Sequence, residues 1–67
     1  MITLTKLNDA QFIINCEQIE KIESHPDTTI TMINGHVYIV KEPVDIVIKK
    51  VVEYKRSFFD FLFQQKG

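Results

Sequence analysis

The pair Asn34-Gly35 constrains this chain more than any other two residues. It lies within residues 28–41, TTITMINGHVYIVK, between two runs rich in Thr, Ile and Val. Asn-Gly in that setting is the strongest short-range signal for a β-hairpin. A two-residue type I′ turn needs positive φ at both central positions, which Asn and Gly tolerate. Such a turn predicts a register with Ile33 opposite His36, Met32 opposite Val37, Thr31 opposite Tyr38, Ile30 opposite Ile39 and Thr29 opposite Val40. Ile30, Met32, Val37 and Ile39 then make an apolar face, expected to be core. Thr29, Thr31, Ile33, His36, Tyr38 and Val40 make the mixed outer face. A slip of one residue exchanges the two, so the register decides what the domain buries.

Upstream, residues 2–6 alternate apolar and polar, and residues 11–15, QFIIN, read as a second strand. A two-residue loop at Asn8-Asp9 mixes both faces. A three-residue loop, Leu7-Asn8-Asp9 with Asp9 left-handed, pairs Leu4 with Phe12 and Ile2 with Ile14 and makes one face wholly apolar. Burial selects that loop. Asn15 is placed to cap a short helical turn across Cys16, Glu17 and Gln18. Ile19 and Ile22, three apart, suit neither a simple strand nor a long helix, and the reading there is a strand over 20–24. His25-Pro26-Asp27 then makes a tight turn into strands over 28–33 and 36–41.

Pro43 changes the pattern. Proline suits a first helical position and Asp45 complements the helix dipole. From Val44 the apolar spacing becomes three and four, through Val47, Ile48, Val51, Tyr54, Phe58, Phe61 and Leu62, which predicts one helix over 43–64. The fold class expected is α+β: a small five-stranded bent antiparallel sheet, or SH3-like open barrel, followed by one long C-terminal helix, in a single domain over 1–67. The apolar arc of that helix spans roughly 200°, about twice what packing on one sheet requires. Val47, Val51, Tyr54 and Phe58 are expected to cover the sheet. Val52, Phe59 and Phe63 lie beyond it, and a symmetric helix-to-helix contact would bury them.

The block Phe58, Phe59, Phe61, Leu62 and Phe63, with Val52, is therefore the candidate interface. Five of the seven aromatic residues lie in or next to it, counting Tyr54. Three occupants are open: the domain's own core, a second copy or another protein, and a membrane surface with Lys49, Lys50, Lys55 and Arg56 near headgroups. At 67 residues with one cysteine, the chain has no internal disulfide to support so small a core, and self-association is the expected remedy.

Chemistry is sparse. A net charge of −1 gives no global attraction to nucleic acid or anionic lipid. Lone Cys16 fits a reducing compartment, the start of the chain lacks a signal-peptide pattern, and no apolar run is long enough to span a bilayer, so the expected location is cytoplasmic. His25, His36 and Cys16 lack metal-ligand spacing, Cys16 has no base partner, and Gly35 and Gly67 make no phosphate loop. No enzyme activity, metal or cofactor is expected. A small barrel raises RNA binding or a regulatory adaptor as the alternative, resting on Tyr38, His36, Lys6 and Lys41. The acids Glu17, Glu20, Glu23 and Asp27 oppose it.

The order Leu4-Thr5-Lys6-Leu7-Asn8, then Phe12 and Asn15, then Pro26-Asp27-Thr28, the Asn34-Gly35 hairpin and Val40-Lys41-Glu42 resembles the FlbD/SwrD family of small flagellar proteins. The family commonly has Gly where this chain has Asp9, and Ser where it has Pro43. Its members are encoded among flagellar and chemotaxis genes and are associated with swarming and motor power, without known enzymatic activity. The resemblance implies a cytoplasmic accessory protein, acting at the flagellar basal body or inner membrane face, with motor or stator proteins as partners.

Overall fold

The computed structural model describes residues 1–64. Its elements run β1 (Ile2–Thr5), β2 (Gln11–Ile14), a 3-10 turn (Cys16–Gln18), β3 (Ile19–His25), β4 (Asp27–Met32), β5 (Val37–Val40) and α1 (Val44–Gln64). The class is α+β, with five antiparallel strands and one helix. The strands form two sheets, β1-β2 and β3-β4-β5, rather than one, and no barrel closes.

The first hairpin follows from its loop. Lys6 and Ala10 flank Leu7-Asn8-Asp9, the Asp9 N–H donates to the Lys6 carbonyl (2.9 Å), and the Lys6 N–H donates to the Ala10 carbonyl (2.8 Å). Asp9 is left-handed at φ 71°. The pairs Ile2 with Ile14 and Leu4 with Phe12 result, and Ile2, Leu4 and Ile14 are buried as expected. Asn15 caps the 3-10 turn, its side-chain oxygen accepting from the Glu17 N–H at 3.1 Å.

The second hairpin corrects the expected register. Thr31 faces Val37, Ile30 faces Tyr38, Thr29 faces Ile39 and Thr28 faces Val40, one residue from the type I′ alignment. The loop has three residues, Ile33-Asn34-Gly35. The Gly35 N–H donates to the Met32 carbonyl (2.9 Å), the Met32 N–H donates to the His36 carbonyl (2.8 Å), and positive φ falls on Gly35 alone, at 93°. This is a type I turn closed by a left-handed residue, the same loop as the first. Ile30 and Met32 stay buried and Thr28 joins them, but β5 turns over. Val40 is buried and Tyr38 half-buried, while Val37 and Ile39 are exposed.

A bulge resolves the three-residue spacing of Ile19 and Ile22. Ile19 pairs with Met32 and Lys21 with Thr31, which leaves Glu20 as the extra residue and returns Ile22 to the inner face opposite Ile30. Both isoleucines pack against the core. The strand accordingly runs longer than the 20–24 expected.

One cluster, Ile2, Leu4, Ile14, Cys16, Ile30, Met32, Val40 and Val47, is the core. Its fully buried members Leu4, Ile30, Val40 and Val47 come from β1, β4, β5 and α1.

The loop chemistry is directly testable. A Cβ at Gly35 meets no atom within 4 Å, so Gly35→Ala introduces backbone strain without a clash. It is expected to lower stability by about 1–2 kcal/mol, the cost of a left-handed non-glycine residue. Urea unfolding midpoints at constant m-value measure it.

Candidate interaction surface on the helix

The helix is aimed before it begins. The outer edge of β1 presents the Thr5 carbonyl to the Lys41 N–H (2.8 Å), and Lys6 forms a single bridge with Val40. The next backbone donor does not find a strand. The Thr5 N–H donates to Glu42 Oε1 (2.9 Å) and the Thr5 hydroxyl to Glu42 Oε2 (2.8 Å). A side-chain carboxylate thus replaces the carbonyl that a neighbouring strand would offer, and the ladder stops there. This is why the two sheets remain separate. Lys41 also pairs with Asp9 of the first loop.

Partial burial pushes the Glu42 carboxyl up, and the hydrogen bonds from the Thr5 backbone and hydroxyl, with Lys50 nearby, outweigh it, leaving the group below its ordinary range.

From Pro43 the chain enters α1, and Asp45 lies in the first turn. Val47 is fully buried and Val51 half-buried against the head. The expectation that Tyr54 and Phe58 also cover the sheet is not met. Their rings are exposed at 37% and 50%. The helix contacts β1 and β3 through its first turns and then outruns them, since its 21 residues extend about 31 Å. The molecule measures 45 × 23 × 19 Å, and its radius of gyration of 13.4 Å exceeds the roughly 11 Å of a compact chain of this length.

All six candidate interface residues, Val52, Phe58, Phe59, Phe61, Leu62 and Phe63, lie on α1 and are exposed. Phe58 and Phe59 stack with centroids 6.2 Å apart. Where the helix leaves the head, Glu17, Tyr54, Lys55, Phe58 and Phe59 line an open cleft of about 310 Å³. Sequence reasoning did not single out Glu17 or Lys55 for this place, and nothing periodic links a 3-10 turn to a helix so far downstream.

The residues of the RNA alternative are arranged differently from expectation. Tyr38 turns inward and packs on Phe12 at 5.3 Å, with Lys6 Nζ 5.4 Å from the Phe12 centroid. The outer face of β4 and β5 carries Thr29, Thr31, Val37 and Ile39, with no aromatic platform. On β3, Glu23 bridges Lys21 (3.5 Å) and His25 (3.0 Å), a solvated charged ladder. Among the described residues no helix is long and apolar enough to cross a membrane.

Glu42 yields a pH dependence. Its carboxyl titrates lower folded than unfolded, so its contribution is complete above the ordinary carboxylate range and is lost as pH falls through the folded value. Glu42→Gln presents a donor where Thr5 needs an acceptor. It is expected to lower stability at neutral pH by about 1 kcal/mol and to flatten the acid limb of the stability curve, measured by urea unfolding across the acidic range.

The family model FlbD, described as flagellar and swarming motility proteins, matches residues 1–59. The match takes in all five strands and the helix as far as Phe59, leaving Phe61, Leu62 and Phe63 beyond it. No curated protein and no solved structure shows significant similarity to the chain.

Proposed function

The chain belongs to the FlbD family of flagellar and swarming motility proteins, and from that membership we propose that it is a non-enzymatic accessory protein supporting flagellar motor power. It acts by protein–protein contact, in the cytoplasm at the basal body or inner membrane face. The observation that supports this reading is the exposed aromatic half of α1. Phe58, Phe59, Phe61 and Leu62 are exposed on a helix whose first turns are anchored in the core of the head. Monomeric proteins rarely leave so large a contiguous apolar patch in water, and aromatic anchors dominate protein interfaces. Self-association and contact with motor or stator proteins are the uses proposed for it.

The Glu42 carboxylate is taken up by Thr5 and Lys41 pairs with Asp9, both contacts that join elements of the fold. Enzymatic chemistry is not proposed. RNA binding draws no support from an outer sheet face of threonine, valine and isoleucine, because base stacking needs aromatic side chains beside cations.

Deletion of the gene is expected to reduce swarming and swimming torque while filaments still assemble. Truncation before Phe58 should mimic it. Normal torque in the deletion strain, measured by tethered-cell rotation, overturns the reading.

A further inference from the structure

We infer that the aromatic half of α1 pairs antiparallel with the same half of a second copy of this chain, with each helix tip seated in the cleft beside the other's 3-10 turn. This deepens the proposed function, resting on its reading of the aromatic half as a contact surface. Four observations converge on this occupant and this direction.

The first is continuity. Val47 and Val51 face their own head, and Tyr54, Phe58 and Phe61 continue the same stripe at intervals of four and three. A partner on that stripe extends a core that already exists.

The second is steric. The head occupies that side of the helix at the level of Val47, where α1 meets β1 and β3. A second helix laid there parallel and in register would run through the strands. One arriving from the opposite end meets open space until it reaches the cleft. With the two-fold axis near Phe58, residues equally far either side of it meet. Leu62 of the second copy then lies level with Tyr54, and Phe61 of the second copy level with Lys55. Tyr54 and Lys55 are walls of that cleft.

The third is charge. Lys49, Lys50, Lys55 and Arg56 lie before the axis, with Glu53 among them. Beyond it the helix carries Asp60 and the negative end of its dipole, with no basic residue in its last turn, and Lys66 is the one cation that follows in the sequence. Antiparallel pairing sets Asp60 level with Arg56, and the negative helix end beside Lys55, of the other copy. Parallel pairing sets cations against cations.

The fourth is area. Tyr54, Phe58, Phe59, Phe61 and Leu62 are 37–57% exposed. At about 200 Å² per large side chain they present on the order of 500 Å² per copy, much of the ~800 Å² that each partner gives to a standard interface.

The test measures mass and direction together. Solution mass by light scattering should show a dimer for the full chain. Spin labels are then placed at Lys49→Cys or Ser57→Cys, in a Cys16→Ala background so that one thiol is labelled. In an antiparallel pair the separation of like sites grows by about 3 Å per residue from the axis, so the Lys49 labels should lie roughly 20 Å farther apart than the Ser57 labels. Equal distances at both sites in a dimer overturn the inference and leave the proposed function standing. Phe58→Ser with Phe61→Ser, which needs no label, should give a monomer whose amide shifts in β1 to β5 are unchanged; a surviving dimer overturns the inference. A wild-type monomer at high concentration overturns it too, whether it stays free, adsorbs to anionic vesicles or joins another protein. Torque in the truncated strain then reads the proposed function separately.

Discussion

The arrangement of this molecule depends on what Thr5 does with its polar groups. Its N–H and hydroxyl go to the Glu42 carboxylate, and its carbonyl takes the Lys41 N–H. One residue of β1 thereby holds the two residues before Pro43, ties the smaller sheet to the larger and sets the direction in which α1 leaves. A partly exposed set of hydrogen bonds contributes modestly in net energy, on the order of 1 kcal/mol each. Its weight is geometric. With 41–42 fixed, Val47 arrives one turn into the helix at the place where Leu4, Ile30 and Val40 close around it. Burial does the stabilising and the clasp decides what is buried.

Much of this was legible in the sequence, and the errors have a common physical origin. The five strands, the capped turn after Asn15 and the span of the helix follow from alternation, capping and spacing. The first hairpin is legible because only its three-residue loop gives an apolar face. The second lies one residue from the alignment its Asn-Gly predicts, because that pair favours a type I′ turn. Yet Leu7-Asn8-Asp9 and Ile33-Asn34-Gly35 are the same loop. In each, the central Asn accepts from the N–H two residues on, at 3.0 Å, and the third residue is left-handed. The apolar, Asn, left-handed-former pattern was visible twice, and the case settled by burial contained the answer to the other. In β5 alone the alternation could not arbitrate, since Val37, Ile39, Tyr38 and Val40 offer an apolar side chain to either face.

The bulge at Glu20 and the Glu42 clasp were less accessible. A bulge is an exception to period two, and a spacing of three between Ile19 and Ile22 signals its presence without giving its place. The clasp joins residues 37 positions apart, a separation at which periodicity carries nothing. The candidate surface was legible as an excess of apolar arc. Its boundary was not, because where coverage ends depends on how far the sheet reaches along the helix, and the stripe itself runs on unbroken from Val47 to Phe61.

That unbroken stripe couples the two halves of the helix. Residues past Val51 lie outside the core cluster, and an isolated helical segment of a dozen residues is marginal in water because nucleation is costly. Here the docked first turns supply the nucleus, so the aromatic half need only propagate from a helix already formed. The coupling also runs backwards. Whatever covers Tyr54, Phe58 and Phe61 binds the helical state alone, and by mass action it stabilises every turn on which that state depends, down to Val47 in the core. A domain whose core is as small as the cluster around Leu4, Ile30, Val40 and Val47 has little stability of its own to spare. Occupancy of the aromatic half and integrity of the head are therefore one equilibrium, and a partner for the helix is at the same time a ligand for the fold.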